Sequence, residues 1–200
     1  MTERVLSTKL CTMTWDDYAQ LFEEITTGQL TTAPYDKESY LNYTALNASR
    51  QKRWMKRGKL NEALVAKLGE IKKKQSWILI TEPWCGDASH LAPFIVKLAE
   101  TSANIDLSIN LRDGKDSMIQ DYLTNGGMSI PMLVVKDAFG KDIFHWGPRP
   151  KDAQTIHVNN LSNTSKSGEE KKIELQSWYN KDKGEDLQLE LLAKLTALES

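Results

Sequence analysis

The chain has 200 residues, 40% of them hydrophobic, and a formal net charge of -1. That length suits one domain with embellishments, and the near-neutral balance makes no electrostatic case for nucleic acid or an anionic membrane. Cys11 and Cys85 are too few for a disulfide framework, and no run approaches the ~20 apolar residues of a membrane span.

Met1 to Leu10 carries Glu3, Arg4 and Lys9 and no long apolar stretch, which argues against a secretory signal. A reducing, cytoplasmic setting follows, and there a free thiol stays free. From Thr14 to about Lys74 the pattern is helical. Trp15, Tyr18, Leu21, Phe22 and Ile25 recur at three- and four-residue steps, behind an N-cap at Thr14 and acids at Asp16 and Asp17. Gly28 ends that helix. Asp36 to Arg57 predicts a second, stopped by Gly58, and Leu60 to Lys74 a third with Leu64, Val65, Leu68 and Ile71 inward. The basic run Arg50, Lys52, Arg53, Lys56, Arg57 and Lys59 surrounds Trp54. Without support from net charge it reads as a solvated helix face.

The middle of the chain alternates. Trp77–Thr81 predicts a buried strand, Cys85–Thr101 a helix, Ile105–Leu111 a strand and Lys115–Asn125 a helix. Met132–Val135 and Lys141–Trp146 predict a hairpin turning through Asp137 to Gly140. That order specifies an α/β fold with a mixed sheet and helices on its faces. After Pro148 the pattern is helical again. Asn159 to Gly168 is a polar loop, Lys171–Lys181 a helix, and Asp186–Leu198 a helix with Leu187, Leu189, Leu192, Leu195 and Leu198 toward the core. Three zones result: an N-terminal helical extension (1–75), an α/β core (76–150) and a C-terminal helical extension packing on it (151–200).

The stretch Glu82-Pro83-Trp84-Cys85-Gly86-Asp87-Ala88 joins the first strand to the helix after it. Unpaired backbone N–H groups and the helix dipole favour an anion there, so the position predicts a lowered thiol pKa and a nucleophile. The bland alternative is a retained, unused cysteine. Asp87 opposes a thiolate by like charge, although an acid in a first helical turn is also an ordinary dipole partner. A dithiol motif would need a second cysteine at position 88, where this chain has Ala88.

Four signals in order resemble thioredoxin. Trp84-Cys85-Gly86 is similar to the start of its active-site motif, Pro93 to its helix-bending proline, Ile130-Pro131 to its cis-proline element, and Gly147 to the glycine after its hairpin. More narrowly, the chain resembles a bacterial thioredoxin-like family whose motif ends in Gly-Asp-Ala rather than Gly-Pro-Cys. Leu111-Arg112-Asp113, Leu123 to Gly127, Ser129-Ile130-Pro131 and Trp146 to Pro150 are typical of it. The resemblance implies a thioredoxin-like mixed sheet with flanking helices. It also implies a groove bounded by Trp84, Ile130 and Pro131, with Pro131 cis and beside Cys85. Leu79 stands where thioredoxins carry a buried aspartate; Glu82 is a substitute or is solvated. Trp146 belongs to the core or to the groove.

Arg112 follows a strand at the end where open α/β sheets place ligands, and Arg149 lies on the loop after Gly147. Either would stabilise a thiolate or an anionic group, or form a structural ion pair. With Trp84, Gly86 and Asp87, these line the expected substrate site around Cys85. His90 lies off the cysteine's helical face and is no base for it. His90, His145 and His157 are scattered, so no metal and no cofactor is expected.

The first functional reading is monothiol exchange, with Cys85 forming mixed disulfides with a protein thiol or a low-molecular-weight thiol. Release would come from outside, or from Cys11. The second is a redox-inactive module that binds a peptide or protein in the cis-proline groove. The third is a peroxide-sensing thiol that forms a sulfenate.

Overall fold

The computed structural model describes residues 12–198. Cys11, considered above as a resolving thiol, lies outside the described residues. The first three helices are α1 (Trp15–Thr26), α2 (Glu38–Arg57) and α3 (Glu62–Gly69). Thr14 and Asp17 form a capping box on α1, and its buried side is Tyr18, Phe22 and Ile25. The third helix is shorter than predicted: it ends at Gly69, leaving Ile71 beyond it.

The sheet comprises β1 (Gln75–Thr81), β2 (Ile105–Leu111), β3 (Met132–Asp137) and β4 (Asp142–Trp146), in the order β2-β1-β3-β4. β1 runs parallel to β2, with Trp77 opposite Leu107, and antiparallel to β3, with Leu79 opposite Leu133. β4 closes the hairpin on β3. Trp77 through Thr81 are all buried: Trp77 and Leu79 join the cluster with the helices, and Ile78 and Ile80 pack with Ile119, Tyr122 and Ile130. The architecture is the mixed α/β sheet with flanking helices that the alternation predicts.

Between β1 and β2 runs α4 (Gly86–Ala99), capped by Cys85. Every residue from Asp87 to Val96 is buried. A helix packed on one side shows an apolar stripe and a polar back; this one has the sheet under it and α2 over it. The buried side of α2 is unusually polar: Thr44, Asn47, Gln51 and Trp54. Those groups face the start of α4, where Asn47 Nδ2 donates to the Pro83 carbonyl at 3.0 Å.

The middle zone departs from expectation at one segment. Lys115–Asn125 is not a helix; only the 3-10 turn Ile119–Asp121 forms there. The buried Asn110 side chain accepts from Met118 N–H at 2.9 Å and donates to the Asp116 carbonyl at 3.1 Å, pinning the chain back to β2. Gly114, Asp116 and Ser117 are weak helix formers, so nothing local resists that capture. Asn125 and Gly126, both at positive φ, then turn the chain.

The C-terminal part forms α5 (Lys151–Ser162), α6 (Gly168–Asp182) and α7 (Glu185–Ala197). Part of the expected polar loop, Asn159 to Ser162, is helical. The inward side of α7 is Leu187, Gln188, Leu191 and Leu195, whereas Leu189 and Leu198 are exposed. Steps of four residues keep 187, 191 and 195 on one side, and residue 189 lies nearly opposite. α5 packs on α6, and α7 on α3.

Lys183 and Gly184, both left-handed, turn α6 into α7 directly over the Phe94 ring of α4. A Cβ at Gly184 would stand 2.6 Å from that ring. Gly184→Ala is therefore expected to lower the unfolding free energy by about 2–3 kcal/mol, from the positive φ and the clash together. Urea denaturation measures it, and a change under about 0.5 kcal/mol would mean that this turn does not bear on α4.

Candidate functional site

Cys85 ends the turn after β1 and starts α4. Its Sγ accepts from Ala88 N–H and donates to the Ile130 carbonyl, both at 3.5 Å. The residue is 7% exposed. Burial, and then the Asp87 carboxylate, push its pKa up to about 12, against the opposing pull of the Ala88 N–H and Arg149. This corrects the expectation of a lowered thiol pKa. Helix-start amides contribute on the order of 1 kcal/mol or less at exposed ends, and desolvation outweighs them here.

The Ile130–Pro131 peptide is cis, and both residues are buried. Ile119, Tyr122 and Met132 pack with Cys85 and Ile130 in one apolar cluster. Cys85, Ile130 and Pro131, the residues expected to border an open groove, are thus all buried. Gly147, at φ 138, sits against the Pro131 carbonyl, which a Cβ would meet at 2.3 Å.

Asp87 and Arg149 come together. Arg149 Nη2 lies 2.6 Å from Asp87 Oδ2, and the Tyr179 hydroxyl donates to Asp87 Oδ1 at 2.9 Å. Arg149 Nη1 also donates to Gln154 Oε1 at 3.1 Å. Tyr179 is buried, and burial and Asp87 keep its hydroxyl protonated. Its ring stacks on His90 at 4.8 Å. His90 is buried. Trp54 Nε1–H donates to its Nδ1 at 3.0 Å, so the neutral ring carries its proton on Nε2, 2.6 Å from Gln176 Oε1. Burial holds its pKa down to about 4. Neither His90 nor Tyr179 has a free proton acceptor to offer the thiol.

The remaining expected residues lie further out. Trp84 is half-buried; Tyr40 stacks on it at 5.0 Å, and the Arg112 guanidinium lies over its ring at 4.4 Å. Arg112 also pairs with Asp113 at 2.8 Å, the structural alternative of its two readings. Gly86 opens onto a cavity described below. Trp146 is 3% exposed, packs in the core cluster and donates to Glu190 Oε2 at 2.6 Å. Tyr179, Gln176, Asn47 and Tyr40 come from helices with no motif to mark them, and sequence reasoning missed all four. Among the described residues no cluster of three or more histidine, cysteine or acidic side chains is placed to hold a metal. No helix among them is long and apolar enough to cross a membrane.

Glu82 is buried at 1% exposure, accepting from the Tyr35 hydroxyl at 2.7 Å and from Asp113 N–H at 2.8 Å. Burial raises its pKa from 4.5 to about 7, although both hydrogen bonds oppose the rise. The folded protein thus holds this proton more tightly than the unfolded chain between about pH 4.5 and 7. The stability so contributed is full below about pH 4.5 and is lost as pH rises through about 7. Glu82→Gln removes that titration. The variant's stability relative to the parent should rise by ~3 kcal/mol between about pH 4.5 and 8. Denaturation across that range measures it; a difference independent of pH would contradict the assignment.

A family model described as Thioredoxin matches residues 33–165. Two solved structures are similar in fold. One is an HIV epitope scaffold, 16% identical, with a TM-score of 0.54 over 92% of this chain and 99% of that one. The other is a protein of unknown function from Pseudomonas aeruginosa, 19% identical, with a TM-score of 0.52 over 90% of this chain and 97% of that one. No curated protein matches the chain significantly.

Proposed function

This chain belongs to the thioredoxin family, and we propose that within it the fold serves as a redox-inactive binding module rather than a thiol–disulfide oxidoreductase. One observation carries the reading: the Cys85 thiol is buried and spends its hydrogen on the Ile130 carbonyl. Attack on a disulfide needs a thiolate with a clear approach to the second sulfur. Here Cys85, Ile130 and Pro131 are all buried, which closes that approach. Ala88, fully buried, stands where a resolving cysteine would be.

The same closure argues against a peptide lying along Pro131. The binding surface of this reading is instead the adjoining space between α2, α6 and the Trp84–Asp87 turn. The core of 76–150 then acts as scaffold, and the extensions of 1–75 and 151–200 supply the walls. The reading sets the chain in the bacterial subgroup whose motif ends in Gly-Asp-Ala, working in the cytoplasm.

Incubation of the native protein with oxidised glutathione, followed by peptide mass mapping, tests the reading. Cys85 is expected to stay unmodified, and Cys85→Ala is expected to fold with stability within about 1–2 kcal/mol of the parent. A glutathione adduct on Cys85 under native conditions would overturn the proposal in favour of monothiol exchange.

A further inference from the structure

The basic run on α2 is only partly a solvated face. Arg50 lines a cavity of about 670 Å³ between α2, α6 and the start of α4. Arg50 Nη1 donates to Asn47 Oδ1 at 3.0 Å, and one turn along, Arg53 Nη2 donates to Asn180 Oδ1 at 2.7 Å. Both partners are neutral amides. Neither arginine is ion-paired with a carboxylate among the described residues.

The other charges of the cavity are accounted for. Asp87 is committed to Arg149, and Lys172 donates to the Tyr43 hydroxyl, with Glu169 a weaker electrostatic partner. His157 is held toward its neutral form, mainly by burial. Arg50, half-buried and without a carboxylate partner among the described residues, is a cation whose charged form both its burial and Arg53 disfavour. An anion in the cavity would reverse that cost.

The walls are aromatic and aliphatic. Tyr40, Tyr43 and Trp84 line one side. Leu46 on α2 and Ile173 on α6, exposed by 48% and 55%, stand at its rim. Gly86 borders the space with no side chain; a Cβ there would lie 3.9 Å from Arg50 Nη1 and 3.6 Å from Gln176 Nε2. The volume falls within the ~300–1,000 Å³ range of small-molecule sites.

We propose that this cavity binds a small amphipathic organic carboxylate, with its charged end on Arg50 and its apolar body against Tyr43, Leu46 and Ile173. The guanidinium fork matches a carboxylate in a bidentate pair, which distinguishes this ligand from an uncharged one of equal size. The assignment rests on the binding-module reading, since it uses the wall of the motif turn and leaves Cys85 out.

Calorimetric titration with decanoate, 4-phenylbutyrate and decanol tests it. The two carboxylates should bind, their relative affinities reporting whether the body is alkyl or aryl, and decanol should bind at least about tenfold more weakly. Arg50→Gln should weaken the carboxylates by about tenfold or more and leave decanol unchanged. Ile173→Glu, at an exposed rim position, should weaken the carboxylates without lowering the melting temperature. Equal binding of decanoate and decanol, or carboxylate binding indifferent to both substitutions, would overturn the proposal. So would no binding at all. Treating the same sample with oxidised glutathione separates the two levels. Unmodified Cys85 with no carboxylate binding removes only the ligand; a Cys85 adduct removes the module reading.

Discussion

The burial of α4 on every side is the constraint on which the rest of the molecule depends. A helix start carries unpaired N–H groups, and this one also carries a thiol, a carboxylate and an imidazole. With the sheet below and α2 and α6 above, water cannot satisfy them. Each must find a partner within the chain, since an unmatched buried polar group costs about 1–3 kcal/mol. Asp87 finds Tyr179 and Arg149, His90 finds Trp54 and Gln176, and Cys85 finds the Ile130 carbonyl. The extensions are therefore part of the motif's chemistry. They supply the hydrogen bonds that allow the motif to be buried.

That arrangement decides the state of the cysteine. Local geometry favours a thiolate: Cys85 caps a helix, Ala88 N–H points at Sγ, and Arg149 is near. Burial and Asp87 favour the thiol, and they prevail. Arg149 has its charge engaged by Asp87, so little of it reaches the sulfur. The position in the fold is the one a nucleophile would occupy, and the surroundings leave it a small, buried thiol held by two hydrogen bonds. In the proposed binding module, ligand chemistry lies on the outer side of the same turn, where Trp84 and Gly86 meet the two helices of the extensions.

Much of the fold was legible from residues alone. The apolar run Trp77 to Ile80, the helix after Cys85 and the hairpin through Gly140 all stand where periodicity and turn residues set them. The segment 115–125 was not legible, because Asn110 captures it by side-chain hydrogen bonds that no periodicity signals. The register of α7 was misjudged for a related reason: five leucines offer several helical faces, and packing selects among them. For the site, Trp84, Asp87 and Arg149 were identifiable by their places around Cys85. Tyr179 was not, lying 92 residues from the Asp87 it bonds. Neither was the direction of the thiol's pKa, which depends on how completely distant helices exclude water.

The most direct test of the account is a thiolate titration of Cys85 by ultraviolet absorbance, in protein carrying Cys11→Ser. The account predicts no thiolate through neutral and mildly alkaline pH and an apparent pKa near 12, reached only as the protein approaches unfolding. A reversible transition at or below about 8.5, the value of a free cysteine, would contradict it and return the thiol to the role of nucleophile.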